Sequence, residues 1–211
     1  MGRRVTGGAP ADFGAGAGGA KALVAAGIFV GGASRRMSGS PKGLLIAPGG
    51  LTIVERMRAV LAECGVDDVV LVGASSAYAA LGLPAVEDQP SGIGPLGGLV
   101  SLLRRADGGY ALAFACDMPF VSATLVRGLL DAPAAAVVAP LRGGLWEPLC
   151  ARYDAALVLP IAEQCAAQRV HSLQELLAAA GAAQLPLSED RRHELRDWDA
   201  PEDVVNDGSG G

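Results

Sequence analysis

Apolar positions in this chain fall into two alternating rhythms from residue 22 onward. Short runs of Ala, Val, Ile and Leu at 22–30, 68–73, 110–116 and 135–140 have the length and composition of strands buried on both faces. Between them the apolar residues recur at helical spacing. Val54, Met57, Val60 and Leu61 define one face of a helix over about 51–64, and Thr52 with Glu55 three residues on supplies a capping box. A Gly/Pro/Ser-rich loop at 88–95 leads into an apolar helix over 96–105. Ser122 caps a helix to about Asp131, Asp154 starts one to about Ala166, and Ser172 with Glu175 forms a second capping box for a helix ended by Gly181. Shorter pieces complete the series: a helix at 75–81, strand stubs at 84–87 and 184–187, and an extended piece at 195–198. The alternation breaks once, at 141–153, where Arg142-Gly143-Gly144 reads as a turn and Trp146-Glu147-Pro148-Leu149 as an excursion. Repeated strand–helix alternation predicts a three-layer α/β/α architecture with a mostly parallel central sheet and right-handed crossovers.

Composition narrows the picture. The chain has 211 residues, read as one domain over 22–205 between disordered Gly/Ala-rich and polar tails at 1–21 and 206–211. Hydrophobic residues make up 51% and aromatics only 4%, so the core must be Ala, Val and Leu packed between helices and sheet. A net charge of -5 provides no broad positive field for nucleic acid. Cys64, Cys116, Cys150 and Cys165 contain no Cys-x-x-Cys pair and read as reduced core residues of a cytoplasmic protein. No apolar run reaches the roughly 18 residues needed to span a bilayer, so no membrane is expected as a partner. Met1-Gly2-Arg3-Arg4-Val5-Thr6 matches a myristoylation pattern and a twin-arginine pair, but no apolar signal segment follows.

The candidate chemistry sits where strands end. Immediately after the first strand comes Gly31-Gly32, then Arg35, Arg36 and Lys42 with no carboxylate among them. Glycines permit close backbone approach, and cations with main-chain N–H donors at the end of a strand suit a polyphosphate. The triphosphatase loop is excluded, because Lys42 lies between Pro41 and Gly43 instead of before Ser or Thr, and the dinucleotide fingerprint is absent at this turn. Asp117, directly after the strand 110–116, is placed to hold a hard cation such as Mg²⁺ over phosphates. Glu87-Asp88 precedes a glycine-rich stretch, and a carboxylate there, Asp88 first, can accept the N1 and N2 hydrogens of guanine. His171 and His193 lack metal-ligand spacing and read as surface residues. Trp146 and Trp198 have the choice of packing or stacking on a ligand's ring, and Arg169 of meeting a phosphate or solvent.

The order GGASRRM, Lys42-Gly43-Leu44-Leu45, Glu87-Asp88, GPLGG at 94–98, CDMP at 116–119 and Pro201-Glu202-Asp203 resembles the nucleotidyltransferases of the molybdenum cofactor guanylyltransferase family over about 22–205. The resemblance implies a Rossmann-like nucleotidyltransferase domain in which Phe29, Val30, Gly31 and Gly32 line the nucleotide and Lys42 contacts phosphates. It also implies that Gly73 and Asp88 bind the nucleotide and that Asp117 touches GTP and Mg²⁺. Catalytic roles fall to Lys42, Asp117 and Arg36. GTP and a molybdopterin-type cofactor would be the substrates, with molybdoenzymes or their chaperones as clients. A cytidylyltransferase on the same cofactor and a non-catalytic nucleotide-binding partner are the alternatives. The chain departs from the family pattern in carrying Phe29-Val30 for Leu-Ala, Gly73 for a common Asn, and Asp197-Trp198-Asp199 for Asn-x-Asn, which makes Asp199 a candidate second ligand.

Overall fold

The computed structural model describes residues 23–31, 41–73, 76–198 and 203; Gly32, Arg35, Arg36 and Asp199 lie outside them. Seven strands form one sheet: Val24–Phe29 (β1), Asp68–Val72 (β2), Ala85–Val86 (β3), Tyr110–Ala115 (β4), Val137–Ala139 (β5), Cys150–Asp154 (β8) and Ala183–Gln184 (β9). Their order is β3-β2-β1-β4-β8-β5-β9. A separate hairpin pairs Leu141–Arg142 (β6) with Leu145–Trp146 (β7). β1 runs parallel to both neighbours, Phe29 standing opposite Val72 and Ala115.

The helices divide between the two faces. Pro95–Arg105 (α2), Ala155–Ala167 (α4) and Leu173–Ala179 (α5) share a core with Phe29, Val72, Ala113 and Tyr153. Ile53–Glu63 (α1) and Ala123–Asp131 (α3) share the opposite core with Ile28, Val30, Leu71 and Phe114. This is the three-layer architecture that the alternating rhythm predicts. The start signals act as read: Thr52 and Glu55 form a reciprocal capping box, Ser122 accepts from the Leu125 amide, and Asp154 accepts from the Leu157 amide. Ser172 accepts from the Glu175 amide. No described helix is long and apolar enough to cross a membrane.

The expected excursion over 141–153 divides in two. Its first half is the β6–β7 hairpin, but its second half is β8, antiparallel to β4 and β5 between them in the sheet interior. Arg152 hides this strand from a reading of apolar runs. It is only 1% exposed, and its guanidinium donates to the carbonyls of Leu130, Ala132 and Pro133 while lying 4.7 Å from the Tyr110 ring centroid. Those carbonyls belong to the end of α3 and the turn after it, where a helix's negative pole favours a cation. The charge is thus accommodated without a carboxylate.

Candidate functional site

The carboxyl ends of β1, β2 and β4 meet along one edge of the sheet, and there the chain builds two adjoining features. The first is a cleft of about 370 Å³ lined by Phe29, Gly31, Val72, Asp88, Gly92, Gly94, Pro95 and Leu149. Backbone shape makes it. Gly73 has φ +95, and a Cβ on it would lie 2.8 Å from the Gly31 Cα, so the Asn common at this position in the family has no room here. On the far wall the first turn of α2 is glycine: a Cβ on Gly97 would collide with the Pro90 carbonyl, and one on Gly98 with the Val72 side chain and, at 2.9 Å, with Asp88 Oδ1. The loop after β3 therefore lies directly on the helix, held by the Gln89 amide donating to the Gly97 carbonyl at 3.1 Å and by the Ser101 hydroxyl donating to the Glu87 carbonyl at 2.7 Å. Glu87 itself is exposed, whereas Asp88 is half-buried in the cleft and burial pushes its carboxyl above the usual carboxylate range.

The second feature is made of charge. Lys42, at the start of the 3₁₀ turn Lys42–Leu44, places Nζ 3.1 Å from Asp117 Oδ2, with side-chain exposures of 11% and 22%. These two cationic and anionic groups are 75 residues apart in sequence. The Cys116 amide donates to the Phe29 carbonyl at 3.2 Å, which ties the Asp117 loop to the cleft. From behind, the Trp198 amide donates to the Asp117 carbonyl at 2.9 Å. Trp198 is 1% exposed and packs with Ala47, Ile53 and Phe120, so it takes the packing role of the two considered. Trp146 is half-buried against the α5 side, its amide and carbonyl both bonded to Gln174.

Beside this pair stands a network to which the sequence offered no motif. Arg142 on the hairpin binds Asp197 through Nη1–Oδ1 at 2.7 Å and Nη2–Oδ2 at 3.2 Å, and its Nε donates to Glu147. The Arg142 bond holds Asp197 below the usual carboxylate range, while burial pushes Glu147 above it despite Arg142. Only the Arg142 turn and the departure at Asp197 hinted at these partners.

Of the residues named from sequence, Phe29, Gly31 and Asp88 line the cleft, and Lys42 and Asp117 pair next to it. Val30 turns its side chain to the opposite core, its amide donating to the Val72 carbonyl at 3.0 Å. Gly73 backs Gly31 from β2. Gly32, Arg36 and Asp199 fall outside the described residues. His171 and His193 are exposed. The four cysteines are free, and Asp117 belongs to no group of three or more candidate metal ligands among the described residues. A single carboxylate still fits Mg²⁺, which takes one or two protein carboxylates and completes its shell with substrate phosphates and water.

A family model described as the MobA-like NTP transferase domain matches residues 26–185. The molybdenum cofactor guanylyltransferase of Pseudomonas putida is 33% identical over 180 residues, 83% of this chain and 92% of that protein. The probable molybdenum cofactor guanylyltransferase of Pelotomaculum thermopropionicum is 34% identical over 143 residues, 67% of this chain and 69% of that protein. Among solved structures, molybdopterin-guanine dinucleotide biosynthesis protein A from Archaeoglobus fulgidus superposes with TM-score 0.67 at 20% identity, covering 86% of this chain and 95% of its own. The 2-C-methyl-D-erythritol 4-phosphate cytidylyltransferase of Thermus thermophilus gives 0.61 at 19% identity over 85% of this chain and 95% of its own, a likeness of fold alone. With the strand-end cleft and the matched span taken together, this chain belongs to the MobA-like NTP transferase family.

Proposed function

We propose that residues 22–205 form one nucleotidyltransferase domain that transfers GMP from GTP to the phosphate of a molybdopterin-type cofactor and releases pyrophosphate. The observation that carries this reading is the Lys42–Asp117 pair standing beside a glycine-walled cleft that contains Asp88. Asp88, ionised, accepts the paired N1 and N2 hydrogens of guanine, a pattern that cytosine does not offer. Phe29, Gly31 and Gly32 border the base and ribose. Lys42 and Arg36 hold the β- and γ-phosphates, and Asp117 would hold Mg²⁺.

The reaction needs no covalent enzyme intermediate. An oxygen of the acceptor phosphate forms a new bond to the α-phosphorus while the bond from that phosphorus to the bridging oxygen of the β-phosphate breaks, and pyrophosphate carries the electrons away. Bound Mg²⁺ supplies neutralisation of phosphate charge. The residues themselves orient the two phosphates in line and hold positive charge at the leaving group, so the catalysis is positioning and electrostatics. Lys42 is set by its 3.1 Å contact with Asp117, so the cation that meets the leaving group and the carboxylate that meets the metal are placed together. We assign the activity to the cytoplasm, with molybdoenzymes or their chaperones receiving the product.

Incubation with GTP, Mg²⁺ and molybdopterin cofactor, followed by product analysis, tests this. The expected result is the guanine dinucleotide form with one pyrophosphate per transfer, and GTP outcompeting CTP. Preference for CTP would give the cytidylyl reading instead, and nucleotide binding without pyrophosphate release would make the protein a binding partner.

A further inference from the structure

We propose that the Tyr78 hydroxyl is a positioning group for nucleotidyl transfer: accepting a hydrogen bond from the Gly43 amide at the point where the turn packs against Cys116, it fixes the turn that carries Lys42 against the loop that carries Asp117. This rests on the guanylyl-transfer reading for its kinetic arm only. Tyr78 comes from the 3₁₀ turn Ser76–Leu81 and is 2% exposed. The turn Lys42–Leu44 makes its own bonds from the Leu44 amide to Pro41 and from the Leu45 amide to Lys42, and the Gly43 amide instead donates to Tyr78 Oη at 3.2 Å. Tyr78 and Cys116 belong to the same buried core beneath this turn.

Contacts around Gly43 leave little slack. A Cβ there would stand 3.0 Å from Tyr78 Cε1 and 3.1 Å from Cys116 Cβ, so the flanks of both charged residues and the tyrosine ring share one close-packed point. Burial raises the Tyr78 hydroxyl well above its usual range and pushes the Cys116 thiol up to about 11, so both stay neutral and the thiol is not a nucleophile. If the ring served packing alone, a buried hydroxyl would be a cost that phenylalanine avoids. Here, however, the hydroxyl accepts from Gly43, next to Lys42, at a packed point that Cys116, next to Asp117, also reaches, and the members of that charged pair are 75 residues apart.

The test compares Tyr78→Phe, Lys42→Ala and the double variant with the wild type. Tyr78→Phe should lower kcat about tenfold, since small misplacements of reacting groups have large kinetic effects, with KM for GTP nearly unchanged and no further loss in the Lys42→Ala background. Hydrogen exchange should accelerate in Tyr78→Phe at 42–45 and 116–118 but not along β4. Wild-type kcat in Tyr78→Phe, an undiminished extra loss in the Lys42→Ala background, or acceleration across the whole sheet would each overturn the proposal. Should Tyr78→Phe not fold, exchange of the Gly43 amide in the wild type decides: protection supports the lock and rapid exchange removes it. A wild type that transfers no GMP defeats the guanylyl reading by itself and leaves the exchange measurements to judge Tyr78.

Discussion

The two halves of the candidate site are built from different materials. On the cleft side, Gly31, Gly73, Gly97 and Gly98 let main chains of β1, β2, α2 and the 88–90 loop approach until a single methyl would collide, and one carboxylate, Asp88, stands in the space they leave. On the other side Lys42, Asp117, Arg142, Glu147 and Asp197 meet through side chains in two linked sets of ion pairs. A wall of backbone recognises shape and tolerates almost no added atoms. A cluster of side-chain charge suits a charged ligand and tolerates changes of shape, but depends on each charge present. Substitutions should therefore fail in different ways on the two sides, by affinity and selectivity in the cleft and by turnover at the pair.

The sharpest way to break this contrast is Asp117→Ala, which should lower kcat by on the order of 10²–10³ while circular dichroism and melting temperature remain close to wild type. Lys42→Ala comes next, with a loss of about 10² in steady-state turnover and a weaker grip on triphosphate than on monophosphate in calorimetry. Normal turnover in either variant would remove the charged half from the chemistry. In the cleft, Asp88→Asn should reduce the GTP-over-CTP preference by about tenfold, the scale of one lost charge-assisted hydrogen bond, and leave kcat with saturating GTP nearly intact.

Asp88 also sets a pH dependence. Its carboxyl is raised by burial, so protonation begins at a higher pH than for a solvent-exposed Asp. In the role proposed for it Asp88 binds guanine in its ionised form, so KM for GTP should rise on acidification and be constant well above that pKa, and Asp88→Asn should flatten the profile. Gly98→Ala should destabilise the fold by about 1–3 kcal/mol in denaturant unfolding and weaken nucleotide binding with little change in the Lys42–Asp117 contact; a neutral result would show that the wall yields. The smallest effect belongs to Arg142→Ala. Arg142 is 44% exposed, and solvent screening holds its stability contribution to under about 1 kcal/mol. Asp197, held low by Arg142, contributes at neutral pH and loses that contribution as pH falls through its depressed pKa, so wild type and variant should converge in acid melts.

Much of this was legible in the chain. Capping signals at Thr52, Ser122 and Asp154 set helix starts within two residues, and apolar runs gave β1, β2, β4 and β5 because strands buried on both faces need no alternation. The placement of Asp117 and Asp88 at one edge of the sheet was legible because each directly follows a predicted strand. What escaped had the opposite character. β8 was hidden because Arg152, a charge inside the sheet, donates through its two terminal nitrogens to carbonyls that sequence spacing does not show. The Arg142–Glu147–Asp197 network and the Tyr78–Gly43 bond join residues across 55 and 35 positions, and only folding brings them together.

The reversal of β8 has a consequence for how this scaffold diversifies. Because the strand runs backward between β4 and β5, the chain reaches the ligand edge on its way into β8, and the Leu149 carbonyl accepts from the Ala115 amide there at 2.9 Å. The β6–β7 hairpin is consequently an insertion anchored at both feet, by β5 and by β8, and no crossover helix depends on its length. Its length can therefore change without disturbing the glycine-walled cleft that β1, β2 and α2 enclose.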